Sequence, residues 1–365
     1  MQIVYDYQVF SIRQYGGVSR YFVELASELS KHPDIRIQIV APLIRSLCLS
    51  EHRSQFSSFG VDLSSVPVLP NRVIRSINAM LFRAMTSITT PDIVHETHYA
   101  PKRTAPRNAK IVTTIHDTIP ERMPEFFSFS ERQKVLIGKV LERADHVICV
   151  SESTRRDLME IYGVAPERVS VTLLGSSLEP PVDGATDLGM PYFMHVGQRY
   201  TYKNFGRLIE AFGHAGLYRT HKLVSFNAIP FSSTELAIME RSRVPPTSMV
   251  QVTGDDKMLA RYYAGAEAFV LPSLYEGFGI PLVEAMRCGC PIVTANTSSL
   301  PEVAGDVAIY CDPLDVGSIS DALLQVASSA ETRATMAAKG LARAQKFTWA
   351  RCAAETYDIY RDLLQ

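Results

Sequence analysis

Nowhere does an apolar run approach the roughly 20 residues that a membrane-crossing helix needs. The first residues, Met1-Gln-Ile-Val-Tyr-Asp6, enter a strand pattern directly instead of a basic patch and apolar core. A protein that is neither secreted nor membrane-spanning is expected. Cysteine is sparse: Cys48, Cys149, Cys288, Cys290, Cys311 and Cys352 stand mostly among apolar neighbours, with no CxxC pair or Cys/His cluster of zinc spacing. They read as reduced, buried thiols of a cytoplasmic protein. An excess of one charge is lacking too, since 37 Lys and Arg face 38 Asp and Glu, so no global field favours nucleic acid. Internal repeats and low-complexity tracts are missing. So is a GxGxxG with an acidic residue after the next strand, which disfavours a dehydrogenase.

What is present is a long alternation of short apolar segments with helical or irregular connections. With 365 residues the chain is comfortable for two domains of similar size. Residues 2–5, 35–40, 92–95, 111–115, 146–150 and 169–173 read as strands of a parallel, doubly wound α/β domain. Ser130 with Gln133 reads as a capping box, and Ser151 as the start of a helix over 152–162 that stops at Gly163. Residues 175–189, rich in turn formers, read as a hinge. A second α/β series follows, with strands at 192–196, 223–226, 249–253, 268–272 and 291–295.

The segment 268–295 carries the sharpest chemistry. Between its two strands lies Glu276-Gly-Phe-Gly-Ile-Pro-Leu-Val-Glu284, in which Pro281 suits the start of a helix while Gly277 and Gly279 let the backbone approach a ligand. Free amides at that helix start favour an anion, and Glu276 and Glu284 can face the same crevice at the carboxyl end of the strand. Carboxylates accept hydrogen bonds from vicinal hydroxyls, so a polyhydroxylated, phosphorylated ligand is indicated. The competing reading has Glu284 complementing a helix dipole and Glu276 solvated in a loop. Arg199 and Lys203, in the loop after 192–196, are cations of the kind a diphosphate requires, or else an ordinary basic loop. Asp255 or Asp256 caps the next helix, and the backbone over 252–254, from Val252 and Thr253 to Gly254, can grip a base edge.

In the first half, Gly16 and Gly17 precede an amphipathic helix with Tyr21, Phe22, Leu25 and Leu29 at core spacing. His95 and His98 follow one strand as structural hydrogen-bonders, while the His116-Asp117 pair ends another and points polar groups at a ligand crevice. Residues 72–84 place Arg72, Arg75 and Arg83 beside Val73, Ile77, Met80 and Leu81. This is either a surface helix with a solvated basic face or a peripheral contact with an anionic membrane.

Together these residues resemble the retaining glycosyltransferase family 4 type of the GT-B superfamily. The likeness runs through Val196-Gly197, Arg199, Lys203-Asn204, Thr253-Gly254, residues 262–266, Pro272-Ser-Leu-Tyr-Glu-Gly-Phe-Gly279, Pro281-Leu-Val-Glu284-Ala, Gly289-Cys-Pro-Ile-Val and Leu300-Pro-Glu-Val-Ala-Gly305. The first half adds Tyr15-Gly-Gly-Val18, His116-Asp117 and Ser151-Glu-Ser-Thr154. One departure is Tyr202, which stands where many members carry an arginine.

The resemblance implies two Rossmann-like domains facing across a cleft: an acceptor-binding domain over 1–175, a nucleotide-sugar-binding domain over 176–347, and a last helix over 348–365 crossing back to the first domain. It implies Arg199 and Lys203 on the diphosphate, Glu284 on the ribose, and Glu276 on the transferred sugar. Amides of Gly277, Phe278, Gly279 and Ile280 complete the cradle, His116 touches the donor sugar or its phosphate, and Gly16-Gly17 permit closure over the leaving group. The implied reaction is metal-independent retaining transfer of a hexosyl unit from a UDP- or GDP-linked sugar, with no cofactor, to a saccharide or lipid-linked saccharide acceptor. The implied location is the cytoplasm, including the inner face of the membrane. A GT-B epimerase or phosphorylase, or an inactive nucleotide-sugar-binding protein, shares the fold and some of these groups.

Overall fold

The computed structural model describes residues 1–12, 14, 16–52, 54–63, 70–199 and 201–365. It divides into two compact units, Met1–Leu174 with Thr348–Gln365, and Gly175–Phe347. Tyr15, part of the glycine motif in the first half, lies outside the described residues.

The first unit is built on seven strands: β1 (Gln2–Tyr5), β2 (Arg36–Ile44), β3 (Ser57–Asp62), β4 (Ile93–Glu96), β5 (Lys110–Ile115), β6 (His146–Cys149) and β7 (Val169–Val171). The second has six: β8 (Tyr192–Val196), β9 (Lys222–Phe226), β10 (Met249–Val252), β11 (Ala268–Leu271), β12 (Ile292–Ala295) and β13 (Ala308–Cys311). Every pairing is parallel. The orders are β3-β2-β1-β4-β5-β6-β7 and β10-β9-β8-β11-β12-β13. Each sheet winds outward from its first strand and then restarts on the other side, so the winding reverses between β1 and β4 and again between β8 and β11. Parallel strands covered by helices on both faces must be apolar throughout, as Ile3-Val4-Tyr5 and Phe269-Val270-Leu271 are, each residue completely buried. The loops at the carboxyl ends of strands flanking such a reversal splay apart and form the ligand crevice of open α/β sheets.

The edge strands β3 and β13 escape the sequence reading: Ser57-Ser-Phe-Gly-Val-Asp62 is no continuous apolar run and is largely exposed, and Ala308-Ile-Tyr-Cys311 is a short, partly buried apolar run. Ser130 is another correction. The helix Ser130–Arg143 is preceded by Phe129 at its N-cap, with no side-chain cap, and Ser130 falls inside the helix. Ser151 and Gly163 do bracket the helix Glu152–Tyr162, the first accepting from the Thr154 amide and the second in a left-handed conformation. The helix of residues 72–84 is longer, Asn71–Thr89.

The last helix, Trp349–Leu364, belongs to the first unit and packs on the helix Gly17–Leu29. Its Tyr360 is completely buried, bonding to His95 Nδ1 at 2.5 Å and donating to the Tyr5 hydroxyl at 3.3 Å. His95 Nε2 pairs with Thr114 Oγ1 at 2.9 Å. Burial, followed by the neighbouring His116, pushes the His95 pKa from 6.5 down to about 3. This gives His95 a definite pH signature. Unfolded, it binds a proton near pH 6.5; folded, it takes none until about pH 3, so stability falls as pH is lowered through that window. The expected slope from this group is up to ~1.4 kcal/mol per pH unit. Chemical denaturation between pH 7 and pH 5 should show His95→Gln with a shallower pH dependence than wild type, and equal slopes would remove His95 as the source.

Candidate functional site

The reversal between β8 and β11 brings two loops together. The loop after β8 ends in Lys203 and Asn204; the loop after β11 runs through Ser273 and Glu276 to the helix Ile280–Arg287. Lys203 Nζ meets Glu276 Oε1 at 2.6 Å, with side-chain exposures of 18% and 9%. A buried ion pair is retained only with strong geometry, and this one is braced on each side. Ser273 Oγ donates to Glu276 Oε1 at 2.7 Å, while the Glu276 amide donates to Ser298 Oγ at 2.9 Å and its carbonyl accepts from Ser299 at 2.9 Å. The Leu274 amide reaches the Tyr202 carbonyl at 2.8 Å, and Asn204 Nδ2 bridges the carbonyls of Pro272 and Pro313 at 2.9 and 2.7 Å. Asn204 has φ 61°, a left-handed backbone that asparagine tolerates better than most residues. Tyr202 places its ring 5.6 Å from Lys203 Nζ, an aromatic face beside the ammonium.

Gly279 precedes the first residue of Ile280–Arg287 at φ 94°, where a side chain would be strained and a Cβ would stand 3.0 Å from Leu300. No side chain caps this helix. Its first turn therefore presents backbone amides with partial positive charge. Phe278 packs into the protein at 5.9 Å from the Phe347 ring. Glu284, one turn further on, is half-buried and accepts from Tyr263 Oη at 3.2 Å. Burial, then the Glu284 charge, raises the Tyr263 pKa well above its ordinary value, keeping the phenol a donor.

Arg199 sits differently from the diphosphate ligand that the sequence suggests. Its Nε donates to Glu235 at 2.6 Å, Nη1 to Ser225 Oγ at 3.1 Å, and Nη2 to the carbonyls of Ile229 and Pro230 at 2.8 Å each. The side chain is 4% exposed, between the rings of Phe205 and Phe231 at 5.4 and 4.8 Å. With its donors taken and its faces covered, it holds the loop after β9. Burial works against the Glu235 carboxylate, yet hydrogen bonds from Arg199 and Ser232 keep its pKa below the ordinary value. A cavity of ≈ 540 Å³ opens beside Arg199 and Arg207, but Lys203, Glu276 and Glu284 do not line it, so cavity volume alone does not mark this site.

His195, on β8, is completely buried, and burial followed by the charges of Lys203 and Arg199 lowers its pKa to about 3. At the end of β10, the Val252 carbonyl accepts from the Asn227 amide at 2.7 Å, leaving Thr253 and Gly254 as the exposed backbone. Asp255, not Asp256, caps the next helix through the Met258 amide at 2.8 Å.

The remaining candidates lie in the first unit. His116 follows β5, its ring 4.9 Å from Tyr21 and 6.1 Å from Phe22; its Nε2 is buried without a hydrogen-bond partner among the described residues. Burial, then His98, lowers its pKa to about 3, so it is a neutral imidazole. Gly17 begins the helix Gly17–Leu29 with open space around it, and Gly16 is its N-cap. Ser298 escapes the sequence reading, while Ser273, Asn204 and Tyr263 stand within the quoted motifs but are given no role there. Of these, Asn204, next to Lys203 where a loop becomes a helix, carried the clearest signal. Among the described residues no three His, Cys, Asp or Glu side chains gather as a metal-ligand cluster.

Two family models match the chain in tandem, "Glycosyltransferase Family 4" over residues 15–178 and "Glycosyl transferases group 1" over 182–343. The O-antigen chain mannosyltransferase B of Escherichia coli is 29% identical over 274 residues, covering 70% of this chain and 71% of the relative. Among solved structures, sucrose-phosphate synthase from Thermosynechococcus elongatus superposes with TM-score 0.78 at 17% identity, over 99% of this chain and 98% of that one. The Anabaena protein HepE, solved in complex with UDP-glucose, superposes with TM-score 0.73 at 14% identity, over 99% and 100%. At such identities the superpositions show the fold. Taken with the two tandem matches, they place this chain in the family 4 glycosyltransferases, with the GT-B architecture of two Rossmann-like domains.

Proposed function

We propose that the chain is a retaining hexosyltransferase that transfers a sugar, mannose foremost, from a UDP- or GDP-linked donor to a saccharide or lipid-linked saccharide acceptor during surface polysaccharide synthesis. The observation that carries this reading is the Lys203–Glu276 pair beside the uncapped start of Ile280–Arg287. The mannosyl preference rests on the 29% identical O-antigen mannosyltransferase. In this reading the diphosphate replaces Glu276 as the acceptor for Lys203, and the amides of 278–280 take further phosphate oxygens. Freed from the lysine but still held by Ser273, Glu276 accepts from hydroxyls of the transferred hexose, while Glu284 binds the ribose. The anomeric C–O bond breaks with its electron pair leaving on the nucleoside diphosphate, whose charge Lys203 and the helix start stabilise. The acceptor oxygen bonds to the anomeric carbon from the same face, and its proton passes to the departing phosphate. The first unit's contribution is assigned to His116, whose neutral ring offers an unused Nε2, with Gly16 and Gly17 giving the backbone room to close. The reaction takes place at the inner face of the membrane, which the helix Asn71–Thr89 touches with exposed Val73, Met80 and Ile88 beside Arg72 and Arg83.

One titration tests the site assignment. Lys203→Ala and Glu284→Gln should each weaken free nucleoside diphosphate by about ten- to a hundredfold, the loss of a charge-assisted hydrogen bond of roughly 1.5 to 3 kcal/mol. Glu276→Gln should leave nucleoside diphosphate affinity near wild type while lowering kcat/KM by a similar factor. Wild-type affinity and turnover in all three folded variants would make these residues structural and remove the donor site.

Since a side chain and a helix start meet the leaving-group charge, turnover should survive EDTA. Complete loss that only Mg²⁺ restores would contradict that.

Sedimentation with vesicles containing anionic lipid should retain the protein at low salt and release it in 1 M salt, where the screening length falls to about 3 Å. Met80→Glu with Ile88→Glu should abolish retention; unchanged sedimentation would exclude this face.

A further inference from the structure

The first sheet also reverses its winding, between β1 and β4, and a cavity of ≈ 410 Å³ opens among the residues that follow those two strands. Tyr7 comes from the loop after β1, His98 and Tyr99 from the loop after β4. Arg75 reaches the cavity from the helix Asn71–Thr89, and Phe129 and Arg132 from the start of the helix Ser130–Arg143. Among the described residues no carboxylate lines it. Arg75 and Arg132 are exposed, and neither forms an ion pair or hydrogen bond among the described residues. This contrasts with Arg103, Arg122, Arg143 and Arg168 of the same unit, each spent on carbonyls or carboxylates. Two exposed guanidinium groups at a sheet reversal, with no carboxylate among the described residues of the wall, offer charge-assisted donors to an anion that enters the cavity.

The rest of the wall narrows the ligand. Tyr7, Tyr99 and Phe129 supply aromatic surface of the kind that packs on the apolar C–H face of a sugar ring. Burial, then the Asp6 charge, raises the Tyr7 pKa to about 12, so its phenol remains a hydrogen-bond donor throughout the physiological range. His98 Nδ1 accepts from the Tyr99 amide at 2.7 Å, which leaves the proton of a neutral ring on Nε2. His98 in turn acts electrostatically on His116, whose pKa is lowered by burial and then by His98. The cavity wall is thus joined to the first-unit residue assigned to the reaction.

We infer that this cavity is an acceptor subsite for a phosphorylated saccharide, with Arg75 and Arg132 on the phosphate and Tyr7, Tyr99 and Phe129 along the sugar ring. The inference rests on the transferase reading above and adds the chemical class of the acceptor. The two arginines select between acceptors and take no part in breaking or forming bonds.

The test is calorimetry on the full chain with α-mannose 1-phosphate, inorganic phosphate and methyl α-mannoside. Mannose 1-phosphate should bind at least tenfold more tightly than either of the others, since each of them keeps only half of the contacts. Arg75→Gln with Arg132→Gln should lose at least tenfold in mannose 1-phosphate affinity, and lysine at both positions should recover most of it. Both side chains are exposed, so the thermal midpoint should stay at the wild-type value. A sugar diphosphate esterified to citronellol distinguishes the sources: tighter binding than mannose 1-phosphate marks a lipid-carried acceptor, and equal binding a free one. Failure of wild type to bind mannose 1-phosphate, equal affinity for methyl α-mannoside, or undiminished binding by the double glutamine variant would each overturn the inference. Binding of UDP or GDP, measured separately, reports on the transferase reading alone and should be the same in both variants as in wild type.

Discussion

The ion pair between Lys203 and Glu276 is the constraint on which the second unit's site depends. Taking a lysine and a glutamate out of water costs several kcal/mol per ion, a penalty that only close opposite charge and further hydrogen bonds offset. The surrounding sequence supplies both. Ser273 and Ser298 hold the glutamate, Asn204 in a left-handed turn fixes the chain after the lysine, and the Leu274–Tyr202 hydrogen bond clamps the loops carrying them. A site of this kind is poised. Each charge already has a partner, so a ligand offering a diphosphate to one and hydroxyls to the other exchanges interactions instead of creating a site from disordered loops.

Arg199 shows how a cation close to such a site can serve a different purpose. Its fork is spent on Glu235, Ser225 and two carbonyls, which ties the loop after β9 to the strand before it. A guanidinium suits that task because it offers five donors in fixed directions, while an ammonium on a flexible stem suits a role in which partners are exchanged. Burial, and after it the charges of Lys203 and Arg199, lowers the pKa of the neighbouring His195.

The alternation of apolar segments made both parallel sheets legible, because strands buried on both faces have no room for polar residues. Two of the four edge strands, β3 and β13, were not read, and both are only partly covered, whereas the edges β7 and β10 were. At the candidate site, residue type and spacing alone single out Lys203, Glu276, Glu284 and Gly279 as candidates. They do not reveal the bracing. Ser298, contacting Glu276 from 22 residues away, and Asn204, contacting Pro313 from 109 residues away, are joined only by the fold. Arg199 was misleading for the same reason, since its partner Glu235 is 36 residues distant and indistinguishable in sequence from a surface helix residue.

The two sheets solve the same problem at their reversals with different groups. In the second, a lysine and a glutamate join the splayed loops. In the first, Asp6 is the charged group that does so: completely buried, it accepts from the amides of Gln8 and Thr97 at 3.2 and 3.0 Å and from the Thr97 hydroxyl at 2.6 Å, and the Val9 amide donates to Thr97 Oγ1 at 3.1 Å beside it. Burial raises its pKa, and those hydrogen bonds work in the opposite direction. With the carboxylate turned inward to hold β1 and β4, the outward wall at that reversal is left to the aromatics and to Arg75 and Arg132. The chain's near-zero net charge therefore conceals a local separation at this reversal, with Asp6 used as an internal tie and Arg75 and Arg132 left facing the cavity. That separation turns a common sheet geometry into a surface with a preference for anions.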